Sequence, residues 1–185
     1  MNAAPRLQTL AEVEAALWRE LARAALDRHH EWRTPVLATV DGSSADARTV
    51  VLRETDPEAR ALRLFTDARS AKVTQIGSHP QGMLVLWSKR MSWQLRMRVA
   101  LAVNTDGLAV ASRWARLRHS AAAQDYLSPL APGTPLSSMP GREALERNHF
   151  AVVVAQVLAI DWLELHAEGH RRAAFDAAGS RWLAP

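Results

Sequence analysis

The chain has 185 residues, 48% of them hydrophobic and 23% charged, which suits one globular domain with a sizeable core. It has no cysteine, which excludes disulfides, thiolate metal sites and cysteine nucleophiles. The basicity (net +4) is almost all arginine, 21 against two lysines, and no run of five like charges marks a nucleic-acid tail, so nucleic acid is not an expected partner.

Residues 1–10 lack a basic start followed by an apolar run. The longest apolar stretch, 150–160, is too short to span a bilayer, so no membrane partner and a cytoplasmic setting are expected. Leu7, Leu10, Val13, Leu17 and Leu21 recur at spacings of three and four, which predicts a helix over about 6–28. Thr9 and Glu12 stand in capping-box relation at its start. The period then changes. "TPVLATV" (34–40) predicts a strand closed by the Asp41-Gly42 turn, "RTVVLR" (48–53) a second and "ALRLFT" (61–66) a third. The short link between the first two favours antiparallel pairing over crossovers.

A helix over 70–77 follows, with Ser70 as its N-cap and Lys72 in its first turn, and His79-Pro80 stops it. "GMLVLWS" (82–88) predicts the next strand. In "WQLRMRVALAV" (93–103), Gln94, Arg96 and Arg98 fall on one face and Leu95, Met97 and Val99 on the other. The polar face must meet water, a ligand or a partner subunit. Residues 107–127 read as helical and 128–141 as a long surface loop. "FAVVVAQVLAIDWLEL" (150–165) predicts one or two strands, "HRRAAF" a last strand and "SRWLAP" a packed tail. The order describes an α+β chain with a mostly antiparallel barrel, read as a single domain over 1–185 whose barrel begins near residue 34.

Hydrolase, dinucleotide and Walker fingerprints are absent. His166 and His170 are four apart at a strand-to-turn junction, which does not put both on one helical face, and no metal site is expected. What remains is a set of polar residues at strand ends: Arg48, Arg53, Thr66, Ser70, Lys72 and Gln94. Singly, each reads as a solvated charge or a cap. Lys72 stands out, because a cation near a helix N-terminus is disfavoured unless an anion is present.

Taken in order, "RTVVLR", "LFTDARSAK", "QLRMRV", "IDWLEL" and "GHRRAAF" resemble the FMN-binding split-barrel family of pyridoxamine 5'-phosphate oxidase and its relatives, over roughly residues 34–185. The resemblance implies a six-stranded antiparallel split β-barrel with flanking helices. It implies a homodimer with FMN sites at the subunit interface. Arg48 then matches an FMN phosphate ligand, and Thr49, Val50, Val51 and Leu52 lie along the flavin ring through backbone groups. Arg53, where the oxidase usually has lysine, lies near flavin and substrate. Phe65 and Thr66 match the aromatic-Thr pair at the flavin, Lys72 a second phosphate ligand, Gln94 a glutamine reaching across the site, and Trp162 a tryptophan from the other subunit.

On the substrate side, Trp114 and Arg118 keep the aromatic-x-x-x-Arg spacing, and His170 and Arg172 look like a swapped Arg-x-His pair. The departures are Ala71, Ala122 and Ala174, where the oxidase has arginine, serine and arginine. Arg69 and Arg172 are the nearby candidates to replace the missing cations. The similarity is thus to the oxidase-related branch. It implies an FMN-binding oxidoreductase passing hydride between flavin and an unidentified small substrate, with no catalytic side chain assigned. The alternative is a non-catalytic split barrel that holds flavin or haem.

Overall fold

Thr9 opens the first helix of the computed structural model, which describes residues 6–137 and 148–185. Its hydroxyl accepts the Glu12 N–H while the Glu12 carboxylate accepts the Thr9 N–H, a reciprocal cap worth about 1 kcal/mol. Helix α1 runs Leu10–Leu26 and turns Val13, Ala16, Leu17, Leu21 and Ala24 inward, all buried. Each large aliphatic side chain so buried contributes about 1.5–3 kcal/mol.

Among the described residues, one sheet holds nine strands: β1 Val36–Asp41, β2 Ser44–Thr49, β3 Leu52–Asp56, β4 Ala61–Asp67, β5 Gln81–Ser88, β6 Trp93–Asn104, β7 Phe150–Glu164, β8 Arg171–Asp176 and β9 Gly179–Leu183. The path is β2-β1-β5-β6-β7-β4-β3, with β8 on β7 and β9 on β8, and every pairing is antiparallel. The expected turn after β1 is present, with Gly42 at φ +59, but the strand that pairs back on β1 is Ser44–Thr49 and not 48–53.

β7 explains why the barrel is split. Its first half, Phe150–Gln156, pairs with β4, and its second half, Ala159–Glu164, pairs with β8. On its other edge β6 runs the whole way, with a bulge that leaves Leu158 unpaired. The sheet forks there. It does not close: β2 and β3 are the two ends of the path, yet only Val50 and Val51 separate them in the chain. The cleft described below sits at that joint.

The expected split barrel is present, with nine strands in place of six. "RTVVLR" is not one strand. It breaks after Val50: the Val50 N–H donates to the Pro35 carbonyl at 2.9 Å as the next pair of the β1–β2 register, but Pro35 has no N–H to return the bond and the ladder ends there. "SRWLAP" is not a packed tail: its first residues belong to β9, an edge strand whose Trp182 is 43% exposed. The helical stretch after residue 107 is helix α3, Leu108–Leu117, followed by a 3-10 segment, Ala121–Tyr126. The last four residues of the 128–141 loop lie outside the described residues.

The main core joins α1 to the inner faces of the strands, and buried Trp32, Trp93 and Trp162 pack at one end of it. A second cluster of Val110, Tyr126, Phe150 and Val152 seats α3 against the sheet. Among the described residues, no helix is long and apolar enough to cross a membrane.

Candidate functional site

Where the two sheet ends meet, a cleft of about 260 Å³ opens. It is lined by Arg48, Thr49, Val50, Val51, Arg53, Phe65, Thr66 and Lys72, eight residues singled out from sequence. Four elements bring them together: the end of β2, the start of β3, the end of β4 and the first turn of helix α2, Ala71–Ser78.

At the α2 end, the Thr66 and Ser70 hydroxyls stand 3.1 Å apart, and the Lys72 ammonium donates to Thr66 Oγ1 at 3.1 Å. Ser70 occupies the N-cap position, but its hydroxyl makes no capping bond and turns to Thr66 instead. Lys72 is half-buried, and burial, followed by the nearby Arg48 charge, pushes its pKa below the ordinary lysine value. Its ion-pair partners are missing among the described residues: Asp67, a carboxylate lining the cleft, is engaged by Arg69 at 2.7 Å. A desolvated cation at a helix N-terminus is the reverse of what a helix prefers.

Arg48 is held differently. Its guanidinium donates to Asp46 and to the Thr39 hydroxyl, and to Gln75 Oε1 at 2.9 Å. Gln75, buried on α2, fixes the cluster by donating to Asp46 at 2.9 Å and accepting from Thr39 at 2.6 Å. The Gln75 bond and the Arg48 charge hold the Asp46 carboxyl below its usual range against the opposing effect of burial. Arg48 thus reaches the cleft aligned but partly neutralised, and Lys72 is the less compensated cation.

At the other end, Arg53 stacks its guanidinium 5.7 Å over the Phe65 ring, and its Nε is buried without a hydrogen-bond partner. Tyr126, the chain's one tyrosine, closes this side with Asp125 and Pro132. Burial pushes its phenol up, so it stays protonated at neutral pH.

The remaining expected site residues lie elsewhere. Leu52 is fully buried and pairs with Leu64 in the β3–β4 ladder. Gln94 is on the outer face of β6, opposite Trp87 of β5. Trp162 is fully buried on the inner face of β7, 5.4 Å from Trp93 and 6.3 Å from Trp182 between ring centroids. The period of two that sends Asp161 and Leu163 outward turns Trp162 in, so it is not displayed to a partner subunit.

Trp114 packs in the second core cluster against Phe150 at 5.6 Å, while Arg118 caps the end of α3, exposed, and donates to His119. His170 accepts from the His166 N–H at 3.1 Å in an exposed turn. Arg172 is engaged by Asp161 at 2.6 and 3.0 Å, and Arg69 by Asp67 and the carbonyls of residues 128–130. Neither arginine is therefore free to replace the cations missing at Ala71 and Ala174. Among the described residues, no three His, Asp or Glu side chains are grouped to hold a metal.

Sequence reasoning missed Tyr126, Asp125 and Pro132. They come from irregular chain after α3, where no periodicity signals a direction. It also missed Asp46 and Gln75, whose role depends on α2 packing on β1 and β6 and so bringing Gln75 to Thr39, Asp46 and Arg48.

Known proteins resemble this chain in sequence and fold. Residues 15–105 match the family model "Pyridoxamine 5'-phosphate oxidase, FMN-binding domain". That range holds Arg48, Thr66, Lys72 and Gln94 but none of the four weaker substrate candidates from Trp114 onward. The pyridoxine/pyridoxamine 5'-phosphate oxidase of Caulobacter vibrioides is 33% identical over 115 residues, 60% of this chain and 47% of the relative. The chain thus spans about half the length of that curated relative. A pyridoxamine 5'-phosphate oxidase-related, FMN binding protein from Nostoc punctiforme PCC 73102 superposes with a TM-score of 0.74 at 25% identity, covering 92% of this chain and 96% of that one. PhzG from Burkholderia lata 383, solved with tetrahydrophenazine-1-carboxylic acid, shares the fold: TM-score 0.71, 16% identity, coverage 92% and 91%.

Proposed function

We propose that the chain is an FMN-dependent oxidoreductase whose cofactor lies in the Arg48–Lys72 cleft, a reading supported by the match of residues 15–105 to the FMN-binding domain model. The observation that carries this reading is Lys72, a half-buried ammonium bonded to a hydroxyl at the bottom of an open cleft. A phosphate there supplies the missing counter-charge through charge-assisted bonds. Arg53, with a buried and unpartnered Nε at the other end, likewise needs an acceptor.

When bound, FMN supplies hydride transfer to or from a small substrate. The chain's own residues bind and orient. Lys72 and Arg48 balance the dianion, and the Thr66 and Ser70 hydroxyls add short bonds to it. The Val50-Val51 joint, where the two ladders part, presents backbone to the ring, and Phe65 and Arg53 border it. Tyr126, kept protonated by burial, can donate a hydrogen bond into the cleft. No side chain is assigned as general acid or base.

The proposal includes a second copy of the chain. The cleft is smaller than the roughly 300–1,000 Å³ of pockets that enclose a drug-sized ligand. Gln94 shares the outer face of β5 and β6 with Trp87, which is 47% exposed, beside Leu158 at 51% and Val36 at 37%. This mixed face, which also carries Arg96 and Arg98, suits a homodimer in which each copy offers Gln94 to its partner's flavin. The cytoplasmic setting expected from the sequence belongs to the same proposal.

Titration of the purified protein with FMN tests it. The expected result is a yellow dimer holding one FMN per chain. A protein that stays colourless with added FMN would sink the reading. Reduction of the bound flavin by a candidate donor separates an enzyme from a carrier.

A further inference from the structure

Asp125, Tyr126 and Pro132 wall one side of the Arg48–Lys72 cleft. Arg69, in the turn between β4 and α2, holds the stretch of chain that joins them. We propose that Arg69 is a positioning residue that latches residues 128–132 as a movable wall of the cleft, so that its release sets how fast flavin enters and leaves. The inference rests on the FMN reading above, which puts the flavin in this cleft.

Three carbonyls converge on one guanidinium. Arg69 donates to the carbonyl oxygen of Ser128 at 2.9 Å and to those of Pro129 and Leu130 at 3.2 Å. Asp67 orients the fork from the other side. Its carboxylate accepts from Arg69 Nε at 3.0 Å and Nη2 at 2.7 Å, and from the Arg69 backbone N–H at 2.7 Å. Asp67 is buried at the end of β4 and pairs with Phe150 in the β4–β7 ladder, so the latch is anchored to the sheet. Burial opposes the Asp67 charge, yet the Arg69 bonds keep its carboxyl below the usual range. A planar fork can satisfy a carboxylate and several carbonyls at once, whereas an ammonium is a compact point charge.

Little else holds this wall. No residue from 128 to 137 is buried. Among the described residues, the hydrogen bonds from 128–132 to the rest of the fold all come from Arg69. The others stay inside the loop, between Ser128 and Leu130 and between Thr134 and Ala131. A segment with few buried contacts and one polar tie opens at low free-energy cost. Upstream the chain is firmly held: Tyr126 packs edge-on against Phe150 at 5.2 Å, and its carbonyl accepts the His149 N–H at 2.8 Å. The hinge therefore falls between Tyr126 and Ser128, and opening there lifts Pro132 from the cleft while Tyr126 stays.

Stopped-flow flavin fluorescence, giving entry and release rates for FMN and for riboflavin, tests this. Hydrogen exchange of the Leu130 and Thr134 amides, followed by NMR without flavin, reports on the loop itself. Arg69→Lys keeps a charge beside Asp67 and loses the fork. Arg69→Gln combined with Asp67→Asn removes the pair without leaving a lone buried carboxylate. In both, entry and release of both flavins should quicken about fivefold or more while Kd moves less than about threefold, and both amides should exchange faster. Unchanged entry rates would make the loop a fixed wall, and a change confined to FMN would make Arg69 a phosphate contact; either overturns the latch. Unchanged amide exchange overturns it even with FMN bound. A protein that binds neither flavin, but whose loop amides quicken in both variants, would overturn the FMN reading and leave the Arg69 tie standing.

Discussion

Replacing Lys72 by alanine separates a phosphate ligand from a surface lysine. The ammonium is half-buried, its bond in the free protein is to the Thr66 hydroxyl at 3.1 Å, and among the described residues it has no ion pair to lose. Removing a partly desolvated cation beside Arg48 should therefore leave thermal stability unchanged or slightly raised. A charge-assisted bond to a phosphate is worth about 1.5–3 kcal/mol, so FMN affinity should fall roughly 10- to 150-fold. Riboflavin, which has the same ring and no phosphate, is the control: its affinity should change by less than about twofold. Arg48→Ala should cost less FMN affinity than Lys72→Ala, because Asp46 already offsets much of the Arg48 charge. Fluorescence titration of both flavins against both variants gives the four numbers. Equal losses for FMN and riboflavin, or an FMN loss within about twofold, would refute the phosphate assignment.

Three further outcomes are expected. Lys72 has a lowered pKa in the free protein, so it loses its proton before an ordinary lysine does. FMN affinity should then fall as pH rises toward 10.5, and Lys72→Arg, which stays charged, should flatten the profile. Trp87→Glu puts a charge on the proposed dimer face. Light scattering should find a monomer, with weakened FMN binding, and an intact dimer would remove that face from the account. The Arg181 bond to Asp176, together with the Ala178 N–H, lowers the Asp176 pKa to about 2. The depressed value means that the contribution is complete above the usual 3.8 and is lost as pH falls through about 2. Arg181→Ala should return the Asp176 titration, followed by carboxyl NMR, toward 3.8.

The parts of the fold that were legible are those whose signals are local. Thr9 and Glu12 set the start of α1, Asp41-Gly42 set the first hairpin, and the alternation of Gln94 to Val99 set both faces of β6. β2 was hidden because "SADART" is a polar edge strand with no apolar face to betray its period. The break at Val50-Val51 was hidden because both residues are β-branched and look like strand interior. At the site, the ordered resemblance found eight residues that meet in one cleft, although no spacing rule joins Arg48 to Lys72. It failed for Trp162 and Arg118, where spacing matched but side-chain direction did not. Direction depends on which face of β7 or α3 packs inward, and that is decided by tertiary contacts.

The central claim is that the Arg48–Lys72 cleft holds the FMN phosphate, and a crystal structure of the FMN-loaded protein tests it most directly. The account predicts phosphate oxygens within about 3.2 Å of the Lys72 ammonium and the Thr66 and Ser70 hydroxyls, with Arg48 alongside. A phosphate bound anywhere else, with Lys72 left facing water, would contradict it.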